Sequence, residues 1–213
     1  MTQIGDLRHE YHGELLDIST VDPSPFVQFK KWFDETLKAN IEEPNGMVLS
    51  TVRSDGMPSL RTVLLKAYDE EGYVFYTNYN SRKAREIEKN PKVALIFPWY
   101  DLHRQLIIQG IVKQVTKMES LKYFISRPFK SKLAAWVSNQ SHVITSRNLL
   151  EMKMEEMKEK FKNGEVPLPD HWGGFKVIPE TFEFWQGQPS RLHDRIYYSR
   201  SSGKDWKIER LAP

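Results

Sequence analysis

Residues 47–78 read MVLSTVRSDGMPSLRTVLLKAYDEEGYVFYTN, and this stretch decides the fold. It contains three runs rich in apolar, β-branched and aromatic residues, separated by two short turns that contain Asp and Gly. The runs are 47–53, 59–68 and 73–78. Short turns of this composition between strand-like runs are typical of β-hairpins. The stretch therefore predicts three antiparallel strands that follow one another as a meander.

The rest of the chain extends this pattern with further strands and with helices between them. Strands are predicted at residues 92–99, 104–116, 175–179, 182–186, 195–200 and 206–210. Helices are predicted at residues 24–40, 81–90, 117–127 and 145–163, the last with mixed charges typical of a solvated helix. The fold class is therefore α+β, a mainly antiparallel sheet with peripheral helices. Closure of this sheet into a barrel would remove its exposed edges.

Composition narrows the class of protein. The 213 residues contain no repeat and no cysteine, so we expect one domain, residues 1–213, without disulfides or thiolate chemistry. The 31 basic and 28 acidic residues give a net charge of only +3, which favours small anionic ligands over nucleic acid. No apolar run approaches the roughly 18 residues of a membrane span, and residues 1–16 lack a signal-peptide pattern. We expect a soluble, cytoplasmic protein without nucleic-acid or membrane partners. His9 and His12 lack clustered carboxylates, so no metal site is expected.

Three basic side chains occur at alternate positions just after a strand-like aromatic run: Arg191, His193 and Arg195. If this segment is extended, all three side chains leave the same face of the sheet. Like charges at close spacing repel, so such a row indicates an anionic or electron-rich ligand. The alternative is a solvated face beside a turn.

Two other basic segments suggest phosphate binding. Arg82 and Lys83 open a predicted helix, where free backbone N–H groups and two cations would form a phosphate cradle, although both could simply face solvent. Arg61 and Lys66 lie at the two ends of an apolar strand and have opposite parity. Either a bulge or twist lets both reach one pocket, or only one of them is functional.

Polar groups near a predicted helix end would suit a phosphate monoester. Tyr123 and Arg127 share a helix face, Pro128 ends the helix, and Ser131 follows in the next turn. The dipeptide 140–141, Gln-Ser, could donate to phosphate or to a ring edge, or be plain loop. No dinucleotide-binding, P-loop or Gly-x-Ser-x-Gly motif occurs, so the corresponding classes of nucleotide-binding protein and hydrolase are not supported.

Taken in order along the chain, these segments resemble the pyridoxine (pyridoxamine) 5'-phosphate oxidase family. The matching segments are residues 8–11, 61–66, 76–78, 81–83, 97–99, 172–175, 183–187, 191–195 and 209–213. The resemblance implies an FMN-binding split β-barrel that forms a homodimer with two FMN sites at the subunit interface. The sequence departs from the family at the Asp-Pro before the first long helix. That pair is either 22–23, with two extra residues, or is replaced by Ser24-Pro25, which affects the path of the N-terminal segment.

The resemblance also assigns roles to individual residues. FMN binding is implied for Arg61, Thr62, Val63, Leu64, Leu65, Lys66, Tyr76, Thr77, Arg82, Lys83, Gln105, Gln140, Ser141, Trp185 and Arg195. Substrate binding is implied for Arg8, His9, Glu10, Tyr11, Lys66, Tyr123, Arg127, Ser131, Arg191, Leu192 and His193. Of these, Lys66, Tyr123, Arg127 and Ser131 would hold the substrate phosphate. Residues 1–20 would form an N-terminal lid segment, of which 8–11 closes over the pocket.

The implied reaction is oxidation of pyridoxine 5'-phosphate or pyridoxamine 5'-phosphate to pyridoxal 5'-phosphate. Hydride leaves C4' of the substrate for N5 of FMN, O2 is reduced to H2O2, and NH3 is released from the amine. Arg191 and His193 are the catalytic candidates: Arg191 would cap the substrate ring, and His193 would orient the C4' substituent and relay its proton. The alternatives are a non-oxidising carrier of FMN or pyridoxal phosphate on the same barrel, and a flavin reductase or nicotinamide-dependent enzyme.

Overall fold

The computed structural model describes residue 5, residues 10–200 and residues 205–213. The strands in these ranges are β1 (Gly46–Val52), β2 (Pro58–Leu64), β3 (Ala67–Asp69), β4 (Gly72–Asn78), β5 (Lys92–Trp99), β6 (Arg104–Gln114), β7 (Trp172–Gln186), β8 (Asp194–Arg200) and β9 (Trp206–Arg210). The α-helices are α1 (Pro25–Lys38), α2 (Arg82–Lys89), α3 (Lys117–Ser126), α4 (Phe129–Val137) and α5 (Arg147–Lys160). The predicted α+β class is confirmed.

All strand pairs in the described residues are antiparallel, and the main path of the sheet runs β2-β1-β5-β6-β7-β4-β3. The end strands β2 and β3 are joined by only Leu65 and Lys66. A link this short requires the sheet to curl until its two ends meet, which is the closure that the sequence predicts. The single strand predicted at 59–68 is wrong, because β2 pairs with β1 whereas β3 pairs with β4.

The long strand β7 was predicted as two strands, 175–179 and 182–186, but it is one continuous strand of 15 residues, of which 175–186 form a ladder with β6. The register shifts where Gly110 pairs with Pro179 and Gln109 pairs with Thr181, so Glu180 is accommodated as a bulge. Gly110 is required here, since a Cβ would lie 2.1 Å from the carbonyl oxygen of Ile178. Beyond the bulge, the other edge of β7 changes partner from β4 to β8.

The helices agree with prediction except in one place. Helix α1 begins at Pro25 with Ser24 at the N-cap position, and α5 has no buried residue, as expected of a solvated helix. Helix α4 was not predicted, although Phe129, Leu133 and Trp136 have helical spacing. Among the described helices, none is long and apolar enough to cross a membrane.

An aromatic core fills the curled sheet. Its fully buried members include Phe29, Phe75, Phe97 and Phe182, and α1 packs Phe29 against it. A second, smaller apolar cluster consists of Phe124, Leu133, Ala135, Val166 and Trp172. This second cluster holds α3 and α4 beside the start of β7 and so forms one wall of the cavity described next.

Candidate active site

A cavity of about 520 Å³ lies among β2, β4, α2, α3 and α4. Its volume falls within the roughly 300–1,000 Å³ of sites for small molecules and cofactors. The structure brings together here the predicted residues Arg61, Thr62, Val63, Leu64, Lys66, Tyr76, Thr77, Arg82, Lys83, Tyr123, Arg127, Gln140 and Ser141. The cavity is also lined by five residues that were not predicted as site residues: Asn78, Ala134, Ala135, Ser138 and Trp172.

The break between β2 and β3 explains how Arg61 and Lys66 reach one cavity despite their opposite parity. The backbone N–H of Leu65 donates to the carbonyl oxygen of Asn45 at 2.9 Å, and that of Lys66 donates to Val74 at 2.8 Å. The chain therefore changes partner strand between them, and alternation does not continue across the change. Leu65 itself packs in the core, with 5% of its surface exposed.

One end of the cavity is cationic. The guanidinium of Arg61 donates to Ser59 Oγ at 2.6 Å and to Glu86 Oε2 at 3.1 Å. Arg82 lies 3.9 Å from the same carboxylate. Burial lowers the pKa of Arg61, while Glu86 opposes this effect. These contacts hold both guanidinium groups at the start of α2 and leave more positive than negative charge there.

Lys83 adds a third cation to this end, and only 8% of its surface is exposed. Its Nζ donates to Thr77 Oγ1 at 3.0 Å and to Gln140 Oε1 at 2.9 Å. Burial, and then the charges of Arg61 and Arg82, lower its pKa to about 8. An ammonium crowded by two guanidinium groups in a buried place is stabilised by an anion. Arg82 and Lys83, the two cations of the predicted phosphate cradle, thus both line this cavity.

The other end of the cavity is aromatic. The rings of Tyr76 and Tyr123 stack at 4.0 Å between centroids, and Tyr76 stacks on Trp172 at 5.4 Å. The guanidinium of Arg127 lies 4.6 Å from the centroid of Trp172. Its Nη1 is buried without a hydrogen-bond partner among the described residues, and burial lowers the pKa of the group. A buried donor of this kind is costly unless a ligand accepts from it. Ser131, in the first turn of α4, lies outside the described lining.

A second group of predicted residues lies elsewhere. Gln105, Trp185 and Arg195 are directly paired across β6, β7 and β8, so they form one row on one face of the sheet. The Arg195 guanidinium donates to Glu183 Oε1 at 2.9 Å and to the carbonyl oxygen of Ala212 at 2.7 Å. The ion pair with Glu183 raises the pKa of Arg195.

His193 joins this row, because its ring lies 4.7 Å from that of Trp185. The backbone N–H of Gln188 donates to His193 Nδ1 at 3.1 Å, so the neutral imidazole carries its proton on Nε2. The expected row of three on one face is wrong for Arg191. Ser190 and Arg191 have φ of 55° and 60° in a 3₁₀ turn, and β8 begins only at Asp194. The alternation of side chains between the two faces of a strand therefore does not extend to Arg191.

The two residues that precede His193 are exposed, whereas Tyr11 packs against its ring. Arg191 is exposed, and Leu192 has 70% of its surface exposed. Tyr11 packs edge-on against His193 at 5.5 Å and against His103 at 5.0 Å. His103 was not predicted as a site residue, and nothing in its local sequence marks it.

The remaining predicted lid residues, Arg8, His9 and Glu10, precede Tyr11 in the chain. Glu10 is exposed and directly precedes Tyr11. Arg8 and His9 lie outside the described residues.

The two groups lie toward opposite ends of β7. Trp172, at its start, lines the cavity, whereas Trp185, near its end, belongs to the second row. The 15 residues of this strand have a contour of about 50 Å at about 3.3 Å per residue. A single chain therefore presents the predicted site residues in two separate groups: the cavity, and the row that contains Trp185 and His193.

Two family models match the chain. The model described as "Pyridoxamine 5'-phosphate oxidase" matches residues 33–161, and the model described as "Pyridoxine 5'-phosphate oxidase C-terminal dimerisation region" matches residues 172–213. The pyridoxine/pyridoxamine 5'-phosphate oxidase of Nostoc sp. (strain PCC 7120) is 53% identical over 210 residues, which are 99% of this chain and 98% of that protein. The protein of that name from Aliarcobacter butzleri is 53% identical over 208 residues, 98% of each chain.

Solved structures show the same fold. PhzG from Burkholderia lata, in complex with tetrahydrophenazine-1-carboxylic acid, is 27% identical, with a TM-score of 0.88 and coverage of 94% of this chain and 99% of that chain. A pyridoxamine 5'-phosphate oxidase-related, FMN-binding protein from Nostoc punctiforme has a TM-score of 0.70 at 16% identity, covering 87% of this chain and 97% of that one. The expected split-barrel fold is confirmed.

Proposed function

This chain belongs to the pyridoxamine 5'-phosphate oxidase family, and from that premise we propose that it is an FMN-dependent oxidase. It converts pyridoxine 5'-phosphate and pyridoxamine 5'-phosphate to pyridoxal 5'-phosphate, with O2 reduced to H2O2 and NH3 released from the amine. The observation that supports this most is one cavity with cationic side chains at both of its ends. Arg61, Arg82 and Lys83 lie at one end, and Tyr123 and Arg127 at the other.

The cationic end fits the phosphate of FMN. Three cations face one ion-paired carboxylate, Glu86, among the described residues, so a phosphate dianion would balance the remaining charge. The N-terminus of α2 adds backbone N–H groups and the positive end of its dipole. When bound, FMN supplies hydride acceptance and transfer of the electrons to O2. Gln140 and Thr77, already in contact with Lys83, would hold the lysine in place.

The aromatic end fits the phosphate of the substrate. Arg127 offers a buried Nη1 that has no hydrogen-bond partner among the described residues, and a planar guanidinium binds two phosphate oxygens at once. Tyr123 also lines the cavity, and Lys66 supplies a further cation to it. A substrate without a phosphate would leave Arg127 unsatisfied, which makes this end selective for phosphorylated substrates. Ser131, in the first turn of α4, would contribute its hydroxyl.

A homodimer would join the two groups of site residues. The matched dimerisation region, 172–213, contains Trp185, His193 and Arg195. In this proposal, the row on one protomer completes the cavity of its partner, so each dimer has two FMN sites. The proposal explains why the row lies outside the cavity of its own chain.

Within the completed site, His193 and Arg191 act on the substrate ring. The contact with Gln188 places the imidazole proton on Nε2, which would donate a hydrogen bond to the oxygen or nitrogen at C4' and so orient that group. Arg191 is exposed and its guanidinium can cap the ring. Arg191→Ala and His193→Ala should each lower turnover much more than they lower FMN retention. Near-normal turnover in both variants would refute the assignment.

The function is tested by incubating purified protein with FMN and pyridoxine 5'-phosphate in air and measuring both aldehyde and peroxide. We expect equal amounts of the two products, and ammonia as well when pyridoxamine 5'-phosphate replaces the alcohol. Pyridoxine without phosphate is the matched control and should react poorly. Substrate binding without peroxide would instead indicate a carrier, and a nicotinamide requirement would indicate a reductase.

A further inference from the structure

Gln188 lies in the short link between β7 and β8 and contacts three separate parts of the molecule. Its backbone N–H donates to His193 Nδ1 at 3.1 Å. Its side-chain Nε2 donates to the carbonyl oxygen of Glu14 at 2.9 Å and to Asp194 Oδ2 at 2.9 Å. One residue thus connects the catalytic imidazole, the N-terminal segment and a buried carboxylate.

The buried carboxylate of Asp194 holds the Gln188 side chain in place. Only 6% of its surface is exposed, and it follows His193 directly in the chain. Besides Gln188, its carboxylate accepts from the backbone N–H of Leu16 at 3.1 Å and from Arg210 Nη1 at 2.6 Å. A buried carboxylate with one cationic and two neutral donors is satisfied and charge-paired, so it holds its donors in place.

The N-terminal segment, residues 10–17, approaches the link closely at two glycines. The backbone N–H of Gly13 donates to Gly187 at 3.2 Å. A Cβ on Gly13 would lie 2.1 Å from Gln186 Nε2, and a Cβ on Gly187 would lie 2.8 Å from Cγ of Tyr11. Backbone therefore packs on backbone here, and Tyr11 is held against His193.

We propose that Gln188 is a positioning residue for His193. Its side-chain amide, held by the Glu14 carbonyl and by Asp194, fixes the backbone N–H that caps Nδ1, so the imidazole keeps its proton on Nε2 and one ring orientation. The catalytic consequence rests on the proposed function, whereas the effect on the ring does not. Both partners of Nε2 are acceptors, so the role requires a donor at this position.

Because the proposed role requires a hydrogen-bond donor at position 188, it is tested by one substitution that removes the donor and one that keeps it. Q188E replaces the amide donor with a carboxylate that faces Asp194 and a carbonyl oxygen, so the link should move away from both. Q188K puts an ammonium, which has three donors, beside the same two oxygens and should preserve the contacts. Gln114→Glu is the matched control, because Gln114 is an exposed residue of the same type at the end of β6.

Two measurements are made on each variant. Nitrogen-15 NMR of the FMN-free protein reports which imidazole nitrogen of His193 carries the proton, and stopped-flow absorbance of the FMN-loaded protein reports the rate of flavin reduction by pyridoxine 5'-phosphate. In Q188E we expect mixed tautomers and flavin reduction slower by about 10- to 100-fold, since a displacement of about 1 Å can cost that much. FMN affinity should change less than twofold. Q188K and Q114E should match the unmodified protein.

The proposal would be overturned if His193 in Q188E kept the wild-type tautomer, or if Q188E reduced the flavin at the wild-type rate. It would also be overturned if Q188K reduced the flavin as slowly as Q188E. If Q188E does not fold, Gln188→Ala removes the donors without adding charge and should show the same mixed tautomers. Failure of the unmodified protein to oxidise the substrate would refute the proposed function. The tautomer measurement would still decide whether Gln188 positions His193.

Discussion

The buried lysine of the cationic end makes FMN binding depend on pH in a calculable way. In the free protein, burial and two neighbouring guanidinium groups lower the pKa of Lys83 to about 8. A bound phosphate dianion favours the charged ammonium, so it raises this pKa and binding takes up a proton. Affinity is therefore full below pH 8 and falls as the pH rises through the pKa of the free lysine.

The size of the effect follows from the fraction of Lys83 that is charged. With a pKa of about 8, that fraction is roughly 0.9 at pH 7 and roughly 0.1 at pH 9. If only the charged form binds the phosphate well, affinity falls about tenfold over this range, or about 1.4 kcal/mol. Lys83→Arg keeps its charge throughout, because an arginine side chain is not deprotonated in this range, so its affinity should be flat.

The assay is a titration of FMN-free protein by flavin fluorescence at pH values from 7 to 9. Riboflavin, which has the same ring and no phosphate, is the ligand control and should bind with the same affinity across the range. Lys83→Met should bind FMN weakly at every pH. A flat FMN profile in the unmodified protein, or an equal slope for riboflavin, would refute the placement of the phosphate beside Lys83.

Three further predictions concern other contacts. Arg127→Ala should raise KM for pyridoxine 5'-phosphate by about 10- to 100-fold in steady-state kinetics, since hydrogen bonds to charged groups contribute about 1.5–3 kcal/mol; unchanged KM would exclude the proposed grip. Gly187→Ala should displace Tyr11, whose Cγ would lie 2.8 Å from the new Cβ, and lower turnover while FMN affinity is retained; wild-type turnover would contradict this. Tyr73→Phe should raise the free energy of unfolding by about 1–2 kcal/mol in urea, because a buried hydroxyl without a partner in the described residues is removed; a loss of stability would show that the hydroxyl is satisfied.

Most strands were predictable from the local sequence, because the turns between them are short and the residues that form each turn are adjacent to the strands that it joins. The strand 92–99 was predicted with its observed bounds, and the turn at 54–56 lies between β1 and β2 as expected. The break at Leu65 and Lys66 was missed, because the apolar run is continuous there. Only the distant partners of these two backbone groups, Asn45 and Val74, reveal it.

The candidate site, too, depends on contacts between distant residues that the local sequence does not reveal. Residues from six elements meet in the cavity, and the family resemblance named most of them because it records distant proximity that periodicity does not. The path at Ser190 and Arg191 was not predictable, since positive φ is uncommon outside glycine and neither residue type signals it. Trp172 was not predicted as a site residue, although it lies in one of the segments, 172–175, on which the family resemblance rests.

The sharing of each site between two subunits is tested by a hybrid dimer. One protomer carries Arg127→Ala, in the cavity, and the other carries His193→Ala, in the row, and the two are separated from both homodimers by different affinity tags. Because one site of the hybrid would receive both substitutions and the other neither, we expect about half of the wild-type oxidation rate at low substrate concentration. Both homodimers should be nearly inactive under the same conditions. A hybrid no more active than the homodimers would show that each site is built within one chain.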